Sequence, residues 1–205
     1  MIANGIRRIG IVTALSIAVI ATTTGCDEVD TPYKKTGPGE TSDAEQKLRS
    51  LPALEETRAQ LTQAVEELAA YASSLTPGLT WSWTRTDRQP RACDAPFDQT
   101  TGRQLALPNY IAQGGDTAHG GGISDEVWPA VRDKARELAS GLGATENDPF
   151  PFEEKVGDRE ARFYGANGTV LWLSTRGISS NTGCRLLAAE KTSTSTAAPS
   201  SEAPR

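Results

Sequence analysis

The sequence predicts an α+β domain: two main helices packed on one face of a mostly antiparallel sheet of about four to five strands, with one disulfide. Three observations lead there. Two stretches carry apolar residues at helical spacing, alternating runs flank Asn167-Gly168, and an even pair of cysteines follows an export-type amino terminus. Helix, strand, loop, helix and then strands joined by tight turns is the order that segregates helices to one face of an antiparallel sheet.

The first main helix is read from Leu54, Leu61, Val65, Leu68, Ala72 and Leu75, which recur at steps of seven, four, three, four and three. Glu55, Glu56, Arg58, Gln60, Glu66 and Glu67 fall off that stripe. Ser50 and Pro52 suit its first turn, and Pro77-Gly78 ends it. Ser42 to Glu45 has capping-box spacing, which allows a short preceding helix up to Leu51. A strand follows, with Leu79, Trp81 and Trp83 facing one way and Thr80, Ser82 and Thr84 the other.

The second helix is expected from Ser124 to about Leu142. Ser124 caps it, Asp125 and Glu126 sit in the positive first turn, and Val127, Trp128, Val131, Ala135, Leu138 and Leu142 form its buried stripe. Gly141 and Gly143 stop it. Residues 160–175, EARFYGANGTVLWLST, read as a hairpin turning on Asn167-Gly168, because both residues tolerate the positive φ such a turn requires. Further short strands are expected at Phe150–Val156, Cys184–Ala188 and Gln104–Leu107.

The amino terminus is an address. Arg7 and Arg8 precede an uncharged apolar stretch, and small residues lead to Cys26, the layout of a secretory signal. The cysteine directly after the small residues resembles the lipobox of bacterial lipoproteins, whose thiol receives a diacylglycerol, although Thr23 stands where leucine is usual. Acyl chains contribute about 0.8 kcal/mol per buried methylene, so two or three of them hold a protein in a leaflet. The reading gives residues 1–25 as signal peptide, 26–43 as lipidated cysteine and linker, 44–190 as one domain and 191–205 as a disordered Ser/Thr/Pro tail. Removing residues 1–25 takes away two positive charges, so the net charge of -5 becomes -7. An acidic body is repelled by an anionic leaflet, which favours a domain held off the surface on a tether.

At 205 residues the chain holds one domain plus appendages. Its acidity argues against nucleic acid, whose phosphates need clustered Lys and Arg. No uncharged stretch reaches the roughly 20 residues of a membrane span, which argues against a polytopic membrane protein. A single histidine excludes His-rich zinc sites, and the sequence calls for no cofactor. With Cys26 committed to lipid, Cys93 and Cys184 remain as an even pair in an exported domain, and a structural disulfide is expected over a metal or redox pair because no CxxC spacing is present.

His119 lies in the glycine-rich run QGGDTAHGGG. One reading makes it a base oriented by Asp116; the other makes it an exposed loop histidine among residues suited to flexibility. Ser179 in GISSN fails the nucleophile-elbow pattern. The carboxylates Glu153, Glu154, Asp158 and Glu160 read as solvated charge around a turn. Trp81, Trp83 and Trp128 read as core. Trp172 sits on a strand apolar on both faces, so one face can line a groove for a sugar or a lipid chain.

The lipobox, the TPGLTW turn at 76–81, the Cys93 loop, the Trp128 helix ending SGLGA and a final strand from Cys184 together resemble the LppA-type lipoproteins of mycobacteria over residues 26–190. The glycine-rich stretch 113–122 strays from that pattern. The resemblance implies lipid anchoring on the outer face of the plasma membrane and brings no catalytic residues with it. The expectation is therefore a tethered module that binds rather than catalyses. Its partner would be an envelope protein, or a small apolar or glycan ligand contacting Trp172 and His119. The competing class is a hydrolase using His119 and Asp116.

Overall fold

The computed structural model describes residues 35–84, 88–147 and 155–192. Cys26, the expected signal sequence, residues 193–205 of the tail and most of the strand expected at Phe150–Val156 lie outside them. Of that strand, Lys155 and Val156 are described and are not a strand: Lys155 forms a single bridge to Asp158, and Val156 lies in the turn between them.

Helix α1 runs from Pro38 to Ser50, so it takes in residues read as linker. Proline is tolerated in the first turn, where its missing N–H has no helical partner. Glu40 accepts the Gly37 N–H at 3.0 Å, and this half capping box replaces the one expected at Ser42–Glu45. Tertiary burial supplies the rest: Ala44 and Leu48 pack with Cys93, Phe97, Cys184 and Leu186 in a small second core. Helix α2, Leu54–Leu75, buries Leu54, Leu61, Val65, Leu68 and Ala72 as the stripe predicts. It ends at Thr76, and Gly78 at φ 76° turns the chain into strand β1, Thr80–Trp83.

Two short strands, β2 (Arg91–Ala92) and β3 (Arg103–Gln104), pair with each other. Strand β4 is Tyr110–Gln113. A 3-10 turn at Thr117–His119 leads towards α3, Trp128–Gly141. This helix starts four residues after Ser124, not at it. The Ser124 carbonyl accepts the N–H groups of Val127 and Trp128, forming a separate turn, and Asp125 is drawn away to Arg159 and the Gly157 N–H. The buried stripe holds, with Trp128, Val131 and Ala135 fully buried.

The remaining strands are β5 (Glu146–Asn147), β6 (Glu160–Tyr164), β7 (Thr169–Ser174) and β8 (Gly177–Thr182), and a last short helix α4 spans Ala188–Thr192. The main sheet has the order β1-β4-β8-β7-β6-β5, with every ladder antiparallel. Helices α2 and α3 cover one face over Leu171, Leu173, Phe163 and Ile178, as the predicted α+β class requires. Trp81 and Trp83 face the same side, stacked on Tyr110 with centroids 5.8 and 4.3 Å away.

Three expectations are corrected. The β6–β7 turn is centred on Ala166-Asn167, closed by the Gly168 N–H to the Gly165 carbonyl, with Gly168 at φ 83° supplying the left-handed residue. Cys184–Ala188 is not a strand: the chain bends at Gly183, Arg185 makes one bridge to Arg103, and helix α4 begins at Ala188. Gln104–Leu107 is only partly one, since β3 stops at Gln104 and Ala106 bridges Asn181 alone.

Cys93 and Cys184 form the expected disulfide, with Cα atoms 5.6 Å apart. Beside it Arg185 is buried, and burial pushes its guanidinium down to about 10. It donates to Thr57 of α2, to Thr169 of β7 and to the Cys184 carbonyl, tying helix, sheet and disulfide together.

Candidate functional site

The face of the sheet opposite the helices carries the outward residues of each strand. From β6 come Glu160, Arg162 and Tyr164; from β7, Val170 and Trp172; from β8, Ser179 and Asn181. Trp172 stands out among them because 37% of it is exposed, unusual for so large an apolar side chain.

Its ring is held, not loose. The indole N–H donates to Glu160 at 3.0 Å, the other Glu160 oxygen accepts from Arg162 at 2.8 Å, and the Arg162 guanidinium lies 4.2 Å from the indole centroid. Burial alone would lower the Arg162 pKa, but hydrogen bonds to Tyr164 and Glu160 outweigh it and hold the group above the ordinary arginine value. The three side chains thus close a ring of contacts, with Arg162 and Trp172 directly opposite each other in register. Glu160 is nearly buried as a result, with 11% of its side chain exposed. The sequence reading had it as solvated charge.

On the β8 side of the indole lies a shallow groove of about 300 Å³. Val170, Trp172, Ser179 and Asn181 form its floor, and Arg88, Ala106, Leu107 and Asn109 its lip. The lip exists because of a bulge. Ala106 pairs with Asn181 and Tyr110 with Ile178, so four residues of one segment span three of the other. The extra residue falls at the Pro108 break, returns Tyr110 to the helix-covered face and leaves Leu107 and Asn109 beside the groove. The Asn109 carbonyl is fixed by the N–H and hydroxyl of Thr84.

His119 is elsewhere. It is exposed, at the end of the sheet where Thr175-Arg176 joins β7 to β8, and it packs on Gly157. The structure does bring it to Asp116, with Nδ1 2.7 Å from the carboxylate. That hydrogen bond, followed by the Asp116 charge, holds the imidazole pKa above its ordinary value, and Asp125 adds to it. Asp125 is held low, chiefly by the hydrogen bond from Arg159. His119 and Trp172 were both candidate ligand contacts, but they do not share a groove. Among the described residues no cluster of His, Cys, Asp or Glu is arranged to hold a metal, and no helix is long and apolar enough to cross a membrane.

The model of the LppA family, a lipoprotein confined to pathogenic Mycobacterium, matches residues 29–188. The chain belongs to the LppA family. Membership makes it a lipoprotein, a class held at membranes by attached lipid. The crystal structure of the lipoprotein LppA from Mycobacterium tuberculosis superposes with a TM-score of 0.58 at 19% identity, covering 82% of this chain and 96% of that one. At that identity the likeness speaks for the LppA fold alone. Among curated proteins none matches.

Glu160, Arg162, Ser179 and Asn181 are the groove and clamp residues that sequence reasoning did not assign to a site. The signal for the clamp was there: Glu160 and Arg162 stand two apart on one strand face, across the hairpin from Trp172. The signal for the β8 pair was not, because GISSNT carries one large apolar residue and does not read as a central strand.

Proposed function

We propose that this LppA-family protein is a lipid-anchored envelope binding module. Cys26 carries the diacylglycerol after residues 1–25 are removed, the domain stands on the outer face of the plasma membrane, and the open sheet face around Trp172 takes the partner. The carrying observation is an indole left 37% exposed yet pinned by Glu160 and Arg162. An exposed aromatic that is already ordered loses little entropy on binding, which is what recognition sites use.

Anchoring and binding are tested separately. Cys26→Ala should move the protein from the detergent phase to the medium, and continued membrane retention refutes the anchor. Native mass spectrometry of the full protein extracted from its own membrane should show a discrete added mass beyond the lipid, lost in Trp172→Ala. An adduct unaffected by that substitution refutes the groove.

A second reading is favoured by the 2.7 Å contact between His119 and Asp116, which suits an oriented base for hydrolysis. His119→Ala then fails to complement a deletion strain; full complementation refutes it.

A further inference from the structure

Resting on the reading of the outer face as a binding surface, we propose that the groove beside Trp172 receives a pyranose ring of a saccharide. Two properties of the groove select that chemistry together. The first is a single flat aromatic whose opposite side is already occupied by Arg162, so one indole face is left for a ligand. The second is a set of polar groups around it with hydrogen-bonding capacity to spare. Arg88, Asn109 and Ser179 make no side-chain hydrogen bond among the described residues, and Asn181 uses only its carbonyl oxygen, accepting the Gly183 N–H at 2.9 Å. A pyranose matches both, because it has an apolar C–H face to lie on the indole and a rim of hydroxyls that donate and accept in the ring plane.

Competing ligands match one property and violate the other. An acyl chain would strip water from Ser179 and Asn181 without replacing their hydrogen bonds, which disfavours it. It would also sit in a groove too open to enclose it. A polyproline segment docks between paired aromatics, and among the described residues lining this groove there is one aromatic ring. A volume of about 300 Å³ is at the small end for ligand sites and suits one or two sugar units, not a folded partner.

Glu160 and Arg162 are positioning residues in this scheme. Neither lines the groove; Glu160 fixes the indole through its N–H and Arg162 backs the ring. Their removal frees the ring to rotate without removing a ligand contact, so affinity falls less than on loss of Trp172 itself.

The test is by NMR on the full mature chain carrying Cys26→Ser. Its four tryptophans give four indole N–H signals, and that of Trp172 is assigned by its loss in Trp172→Phe. Neutral trisaccharides of gluco, manno and galacto configuration are titrated to about 10 mM, enough to populate a millimolar site. At least one should shift the Trp172 signal saturably, together with the Ser179 and Asn181 amides, while the Trp128 signal stays. Trp172→Ala should weaken that binding about tenfold or more and Glu160→Ala about threefold, and Asn181→Ala should change which configuration is preferred. Shifts that survive Trp172→Ala overturn the proposal. So does silence from all three saccharides, and decanoate and a proline-rich decapeptide then tell two failures apart. If either moves the Trp172 signal, the saccharide is wrong and the binding face stands; if neither does, both fall.

Discussion

Replacing both Cys93 and Cys184 with alanine tests the most quantitative claim the fold makes. The cross-link joins positions 91 residues apart, and in the chain-entropy account a loop of that size removes about 4.5 kcal/mol of unfolded-state freedom. A second contribution has the same sign: both half-cystines are buried in the small core with Leu48, Phe97 and Leu186, and losing two sulfurs there leaves a void. That core has few other members, so it cannot close over the gap. For a domain of this size each kcal/mol moves Tm by about 2–4 °C, so the double variant should melt roughly 10–15 °C lower. The assay is thermal unfolding by circular dichroism, run beside the wild type with and without reductant. Because both cysteines are buried, reduction of the wild type should be slow below its melting range and, once complete, should lower Tm by less than the double substitution does, since the two thiols still fill the small core. A fall of less than about 3 °C refutes the reasoning, and means α1 and the 93–104 loop are held by apolar packing alone.

Three further outcomes follow from the packing and the titration. Leu171→Ala, at a position with no solvent exposure under α2 and α3, should cost about 2–5 kcal/mol in a denaturant melt, whereas Trp172→Ala next to it should cost under about 1 kcal/mol; equal costs contradict the assignment of faces. Gly183→Ala should destabilise by more than about 2 kcal/mol, since its φ is 64° and a Cβ there runs into the Thr169 backbone nitrogen, while Gly143→Ala, at φ 76° with open space around it, should cost about 1 kcal/mol. His119 has its folded-state pKa raised by Asp116, so its stabilising contribution is complete below the unfolded value near 6.5 and is lost as pH rises through the folded one. The Tm difference between wild type and His119→Gln should therefore be larger at pH 5.5 than at pH 8.5, and the opposite trend excludes the pairing.

The elements legible in the sequence share one property: their pattern is written by local rules. The stripe of α2, the buried side of α3, the alternation of β1 and the hairpin around 165–168 each follow from periodicity or turn chemistry within about twenty residues. The cysteine pair was legible by counting, given an exported chain. The strand order and the third central strand were not. Strand β8 reads GISSNT, and its turn with β7 is Thr175-Arg176, neither residue a turn former. That turn is held from outside instead, by Thr175 to the Gly157 and Arg159 carbonyls and by the Ile123 N–H to the Thr175 carbonyl. Local propensity carries no trace of such contacts because their partners are more than fifteen residues away.

The same division runs through the candidate site. Composition and spacing marked Trp172 as an aromatic on a two-faced strand, and His119 with Asp116 as a pair within one turn. What made Trp172 a site candidate was tertiary: a bulge at Pro108 that raises the groove's lip, and a neighbouring strand that clamps the indole from behind. By itself the sequence determined the helices, the hairpin and the two half-cystines, since each depends on neighbours along the chain. Which face of the sheet stays open, and which polar groups surround the ring on it, is decided only when β8 takes its place between β4 and β7, because register across strands is a property of the assembled sheet.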